Sequence, residues 1–73
     1  MPPLPSVSGR EAVRAFTKAG YTFQRQRGSH LMLVKPGAPT TLAVPNHGTV
    51  SPGTLRALIR QAGLTVEEFI TLL

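Results

Sequence analysis

Two histidines, His30 and His47, are the side chains in this sequence suited to proton exchange near neutral pH. His30 closes the run Arg25-Gln26-Arg27-Gly28-Ser29-His30, and Lys35 follows it. A histidine among cations suits RNA cleavage, because the 2′-OH of the substrate supplies a nucleophile that DNA lacks. The protein then needs a base for that proton, positive charge for the phosphate and a surface that orients the strand. His30 could be the base, with Arg25, Arg27 and Lys35 supplying charge. On residue types alone, however, a histidine at a strand start is more often structural or merely exposed. His47, in Pro45-Asn46-His47-Gly48, reads equally well as a loop-fixing residue.

Other chemistries lack their groups. The sequence has no aspartate and no cysteine, and its three acids are all glutamates. Paired carboxylates for glycoside hydrolysis are absent, as is any Gly-rich phosphate loop of standard pattern. No His-x-x-x-His or Glu-x-x-His spacing occurs, and two histidines and three glutamates are a poor ligand supply. The expectation is therefore metal-independent chemistry with no small-molecule cofactor.

Charge points to the partner. Eight Lys+Arg oppose three Asp+Glu, for a net +5, and two of the acids, Glu67 and Glu68, lie near the C-terminus. Such a field attracts polyanions. Seventy-three residues make one domain with a thin core, so any chemistry must sit on the surface or in a shallow groove. The proline-rich start lacks the apolar stretch of a secretory signal, and no apolar run approaches the roughly 20 residues of a membrane span. With no cysteine, the expected location is the cytoplasm, with no membrane contact.

The elements that must position these residues can be read from periodicity and caps. Residues 1–7 read as an extended proline-rich arm, and residues 8–73 as one domain. Ser8-Gly9-Arg10-Glu11 is a capping box, and Ala12, Val13, Phe16 and Ala19 form the apolar stripe of a helix over about 9–19. Tyr21 to Gln26 alternates as a strand, His30 to Lys35 is a second and Thr40 to Val44 a third, joined by short turns as an antiparallel meander. Ser51-Pro52 starts a second helix, ended by Gly63, and Thr65-Val66-Glu67-Glu68 caps a short third one. The expected fold is α+β, in the order α-β-β-β-α with a short extra C-terminal helix and with the helices on one face of the sheet. Tyr21, Phe23, Leu31, Leu33, Leu42 and Val44 should line the covered face. His30, Met32 and Val34 should lie on the open face with Gln24 and Gln26, unless a one-residue slip reverses the assignment.

Four segments in order resemble the HicA toxin family, which prokaryotes encode beside HicB antitoxins. They are Ser8-Gly9-Arg10-Glu11 leading to Lys18-Ala19-Gly20-Tyr21, then Arg25 to His30, then Val44-Pro45-Asn46-His47. The last runs from Gly53-Thr54-Leu55-Arg56 through Gln61-Ala62-Gly63-Leu64 to Glu67-Glu68-Phe69. The resemblance implies a double-stranded-RNA-binding-domain-like fold and the toxin role in a type II toxin–antitoxin system. It also implies endoribonuclease activity on mRNA, growth arrest and neutralisation by a HicB-like antitoxin. The family's catalytic histidine falls on His30. RNA contacts are expected from Arg25, Arg27, Ser29, Lys35, Arg56 and Arg60. His47 occupies the family's Pro-x-His position, with RNA contact and a structural role both open. Where relatives carry lysines after that histidine, this chain has the uncharged Gly48-Thr49-Val50-Ser51-Pro52.

Two other readings keep the same fold: a non-catalytic RNA-binding module, and a protein-interaction module whose basic face meets an acidic partner. Single-strand binders favour an aromatic stacking platform. Phe16, Tyr21, Phe23 and Phe69 all read as core, which counts against the first of these.

Overall fold

Each helix begins where the sequence supplies a cap. In the computed structural model, which describes residues 3–73, α1 spans Gly9–Lys18 behind a complete capping box. The Ser8 hydroxyl accepts from the Glu11 N–H at 3.1 Å, and the Glu11 carboxylate accepts from the Ser8 N–H at 2.9 Å. The Ser8 N–H bond to the carboxylate, with a smaller effect of the Ser8 hydroxyl, holds the Glu11 carboxyl below its usual value. Ser51 caps α2 (Pro52–Gln61), with Pro52 opening the helix. Thr65 and Glu68 form a second box ahead of α3 (Val66–Leu72).

Between α1 and α2 the chain forms β1 (Thr22–Arg27), β2 (His30–Val34) and β3 (Leu42–Pro45), an antiparallel sheet in the order β1-β2-β3. The order α-β-β-β-α-α and the open three-stranded sheet agree with the expected fold. Strand ends differ by one or two residues from the sequence reading, as frayed boundaries do.

The helices bury one face of the sheet. Phe16, Leu33, Leu42, Val44, Leu55, Ile59 and Phe69 are all essentially inaccessible. Phe16 packs edge-on against Tyr21, with centroids 6.1 Å apart, and lies 5.1 Å from the Phe69 ring. The core also reaches into the N-terminal segment. Val7 is buried, and its carbonyl accepts from the Val50 N–H at 2.7 Å. Met1 and Pro2, the first residues of the expected arm, lie outside the described residues.

One expected core residue is not in the core. Phe23 is 49% exposed. It pairs with Leu33, but β1 is an edge strand exposed along its whole length, and the buried residues of the sheet lie on β2 and β3. A second correction follows from a bulge between Phe23 and Arg25, where Gln24 is the extra residue. A bulge shifts the alternation by one. Gln26 therefore pairs with Leu31 on the helix side, while Arg25 pairs with Met32 and Arg27 with His30 on the open side. The glutamines expected beside His30 give way to two arginines.

Candidate functional site

The β1–β2 hairpin places His30. Gly28 has φ +59°, and no other residue of the Gly28-Ser29 turn has positive φ. That is the geometry of a two-residue hairpin turn with glycine at its first position. The turn sets Arg27 directly opposite His30. On the other side of β2, His30 pairs with Pro45 and Met32 with Ala43. No slip occurs, and His30 lies on the uncovered face.

There a shallow concavity of about 360 Å³ is lined by Arg27, Gly28, His30, Met32 and Ala43. Its floor is apolar, from Met32 and Ala43, and its rim carries an imidazole and a guanidinium. Arg25 shares this face, cross-strand from Met32. The site is exposed, so an incoming strand need displace no protein segment.

The loop after β3 is tied to the hairpin. The Asn46 N–H donates to the Ser29 carbonyl at 2.7 Å, and the Gly9 N–H donates to the His47 carbonyl at 2.9 Å. Gly9 is required by this approach: a Cβ there would collide with the Pro45 carbonyl oxygen. The start of α1, the end of β3 and the residue preceding His30 thus form one fixed corner. His47 takes part through its backbone, and its side chain is exposed.

Three of the basic residues singled out in the sequence lie elsewhere. Lys35 follows the far end of β2 from His30, about 16 Å along a strand at about 3.3 Å per residue. Its Nζ sits 5.7 Å from the centroid of the Tyr21 ring. Arg56 and Arg60 line a groove between α2 and α3 with Ile59, Leu64 and Val66, in the helical layer. Conversely, Arg10 and Arg14 escaped the sequence reading. They line a groove of about 300 Å³ with Val13, Gln26, Leu31 and Asn46. The signal that could have found them is their spacing of one helical turn on α1.

Among the described residues no group of three His, Cys, Asp or Glu converges as a metal site. No helix among them is long and apolar enough to cross a membrane.

Fold and site define a small basic α+β domain whose sheet has one uncovered face bearing a histidine beside arginine. The family described as "HicA toxin of bacterial toxin-antitoxin" matches residues 9–64. A chain in a solved structure, the "Toxin-Antitoxin complex from Streptococcus pneumoniae", is similar at 30% identity and a TM-score of 0.71, over 85% of this chain and 100% of that one. No curated protein sequence gives a significant match. The chain belongs to the HicA toxin family.

Proposed function

We propose that this toxin is a metal-independent endoribonuclease acting on mRNA, with His30 as its general base. The observation that carries the reading is the concavity on the open sheet face, where His30 and Arg27 stand opposite each other. In this mechanism His30 removes the proton from a ribose 2′-OH. The 2′-oxygen attacks the adjacent phosphorus, the P–O5′ bond breaks, and the leaving 5′-oxygen takes a proton from solvent. The products are a 2′,3′-cyclic phosphate and a 5′-OH. Arg27 and Arg25 balance the charge that builds on the phosphate, and the Ser29 turn holds their register. Lys35, Arg56 and Arg60 add to the long-range attraction of RNA, and His47 contacts the strand beside the site or only shapes its loop.

The partner follows from the same face. A HicB-like antitoxin neutralises the toxin by covering His30, Arg25 and Arg27, and the net +5 charge favours an acidic partner. The cytoplasm is the compartment in which such a protein meets mRNA.

The test is cleavage of RNA by purified protein. Wild type should cut, and His30→Ala should lose activity by ~10²–10⁴-fold, the usual worth of general acid–base help. Its binding of uncleavable RNA and its thermal unfolding should stay near wild type. Cleavage by His30→Ala at the wild-type rate would overturn the assignment. Undiminished RNA binding with no cleavage by wild type would favour the binding-module reading.

A further inference from the structure

The groove lined by Arg10, Val13, Arg14, Gln26, Leu31 and Asn46 has no role in the chemistry above. Its volume of about 300 Å³ is at the lower end of small-ligand pockets, which run from ~300 to 1,000 Å³. Its composition is specific. Two guanidiniums on one wall suit phosphate oxygens, two side-chain amides suit the polar edges of a base, and Val13 and Leu31 form an apolar floor against which a base can lie. The nearest acid in sequence, Glu11, directs its carboxylate to the Ser8 N–H; it lines an adjoining concavity with Arg14 and feels that charge, but it is not part of the groove's lining.

The groove's position relates it to His30. Consecutive strand residues point to opposite faces, and two such pairs join the two concavities. Arg27 and His30 line the one on the open face, while their chain neighbours Gln26 and Leu31 line the groove on the other. Only the thickness of the sheet edge separates them. The hairpin tip between them is unobstructed, since a Cβ built on Gly28 would meet nothing within 4 Å.

We propose that this groove is a second nucleotide site: one RNA strand crosses the open face at His30, rounds the hairpin at Gly28 and seats a flanking nucleotide between α1 and β1. Arg10 and Arg14 take its phosphates, and Gln26 and Asn46 meet its base. The inference rests on the RNA reading of the open face. Gln26 already donates through its amide nitrogen to the Gly28 carbonyl at 2.9 Å, which directs its side chain along this path and leaves its amide oxygen as an acceptor.

The experiment is fluorescence anisotropy with labelled 2′-O-methyl RNA, which cannot be cleaved, in two lengths of about four and about twelve nucleotides, within the range of small single-strand sites. The proteins are wild type, R27A, K18A and the double variant R10A/R14A, whose replaced side chains are all exposed. R27A should weaken both oligomers. R10A/R14A should weaken the long one about tenfold or more and lower its log–log salt slope by about 0.7 per arginine, while barely affecting the short one. K18A, which removes a charge from α1 outside the groove, should do little. If R27A weakens binding and R10A/R14A does not, the groove proposal falls and the RNA reading stands. If no variant weakens binding, both fall. Equal losses from R10A/R14A at both lengths, or losses matched by K18A charge for charge, would reduce the arginines to general attraction. Retained RNA affinity with loss of binding to the antitoxin would make the groove a protein surface and overturn the proposal.

Discussion

At the scale of the residue, the proposed function rests on a short inventory arranged by the backbone. His30 has Arg27 opposite it, and Arg25 comes onto the same face only through the bulge at Gln24. Metal donors are few and do not converge among the described residues. Cleavage should therefore persist in excess EDTA, and loss restored specifically by an added divalent ion would defeat the histidine-only mechanism. Gly28 is the other residue of consequence. An L side chain in its left-handed conformation costs roughly 1–2 kcal/mol. Gly28→Ala should lower the thermal midpoint accordingly, and any loosening of the turn should reduce cleavage further by moving Arg27 away from His30. A variant that unfolds as wild type and cuts as wild type would show that the turn geometry is dispensable.

At the scale of the element, α1 carries more than its apolar stripe. Its first residue, Gly9, packs against the Pro45 carbonyl and fixes the loop bearing His47. Gly9→Ala must displace that loop, at the cost of an overpacked site, about 1–3 kcal/mol. For a domain of this size that corresponds to roughly 4–8 °C in midpoint per kcal/mol, readable by circular dichroism. Ser8→Ala removes the cap and should cost about 1 kcal/mol. The same box gives a pH dependence with a defined sign. Glu11 is held below its usual value in the folded chain, so its contribution is present above the unfolded glutamate value of about 4.3 and is lost as pH falls through the folded one. Wild type should lose more stability than Glu11→Gln, which cannot titrate, across that acid range. Parallel losses in the two proteins would mean that the box does not stabilise the carboxylate.

At the scale of the whole molecule, the described chain measures 31 × 27 × 17 Å, one sheet and one layer of helices thick. Such a slab has no interior to spare for a catalytic pocket, so the proposed activity would be controlled by covering its face. The antitoxin should therefore bury His30 in the inhibited complex. Full exposure of His30 there, measured by its reactivity toward an imidazole-modifying reagent, would exclude direct covering. Net charge acts at the same scale: RNA affinity should fall steeply with salt, in proportion to the phosphates contacted.

The sequence by itself determined what depends on local rules: the helix starts at Ser8, Ser51 and Thr65, the glycine turn before His30, the three-stranded meander and the shortage of metal ligands. Caps, turns and periodicity are written in residues a few positions apart, and so is the run that suggested His30. It did not determine what depends on residues far apart in the chain. Phe23 alternates like a core residue, yet β1 stays exposed while β2 and β3 supply the buried face, and strand order and helix placement are tertiary facts. The Gln24 bulge reverses the faces of Arg25, Gln26 and Arg27, because one extra residue inverts a period of two. The separation of Arg56 and Arg60 from His30, and the meeting of Arg10 and Arg14 with Gln26 and Asn46, were likewise decided only when the helices packed on the sheet and Gly9 met the loop after β3. Charge is legible in composition, but the face that carries it is set by packing.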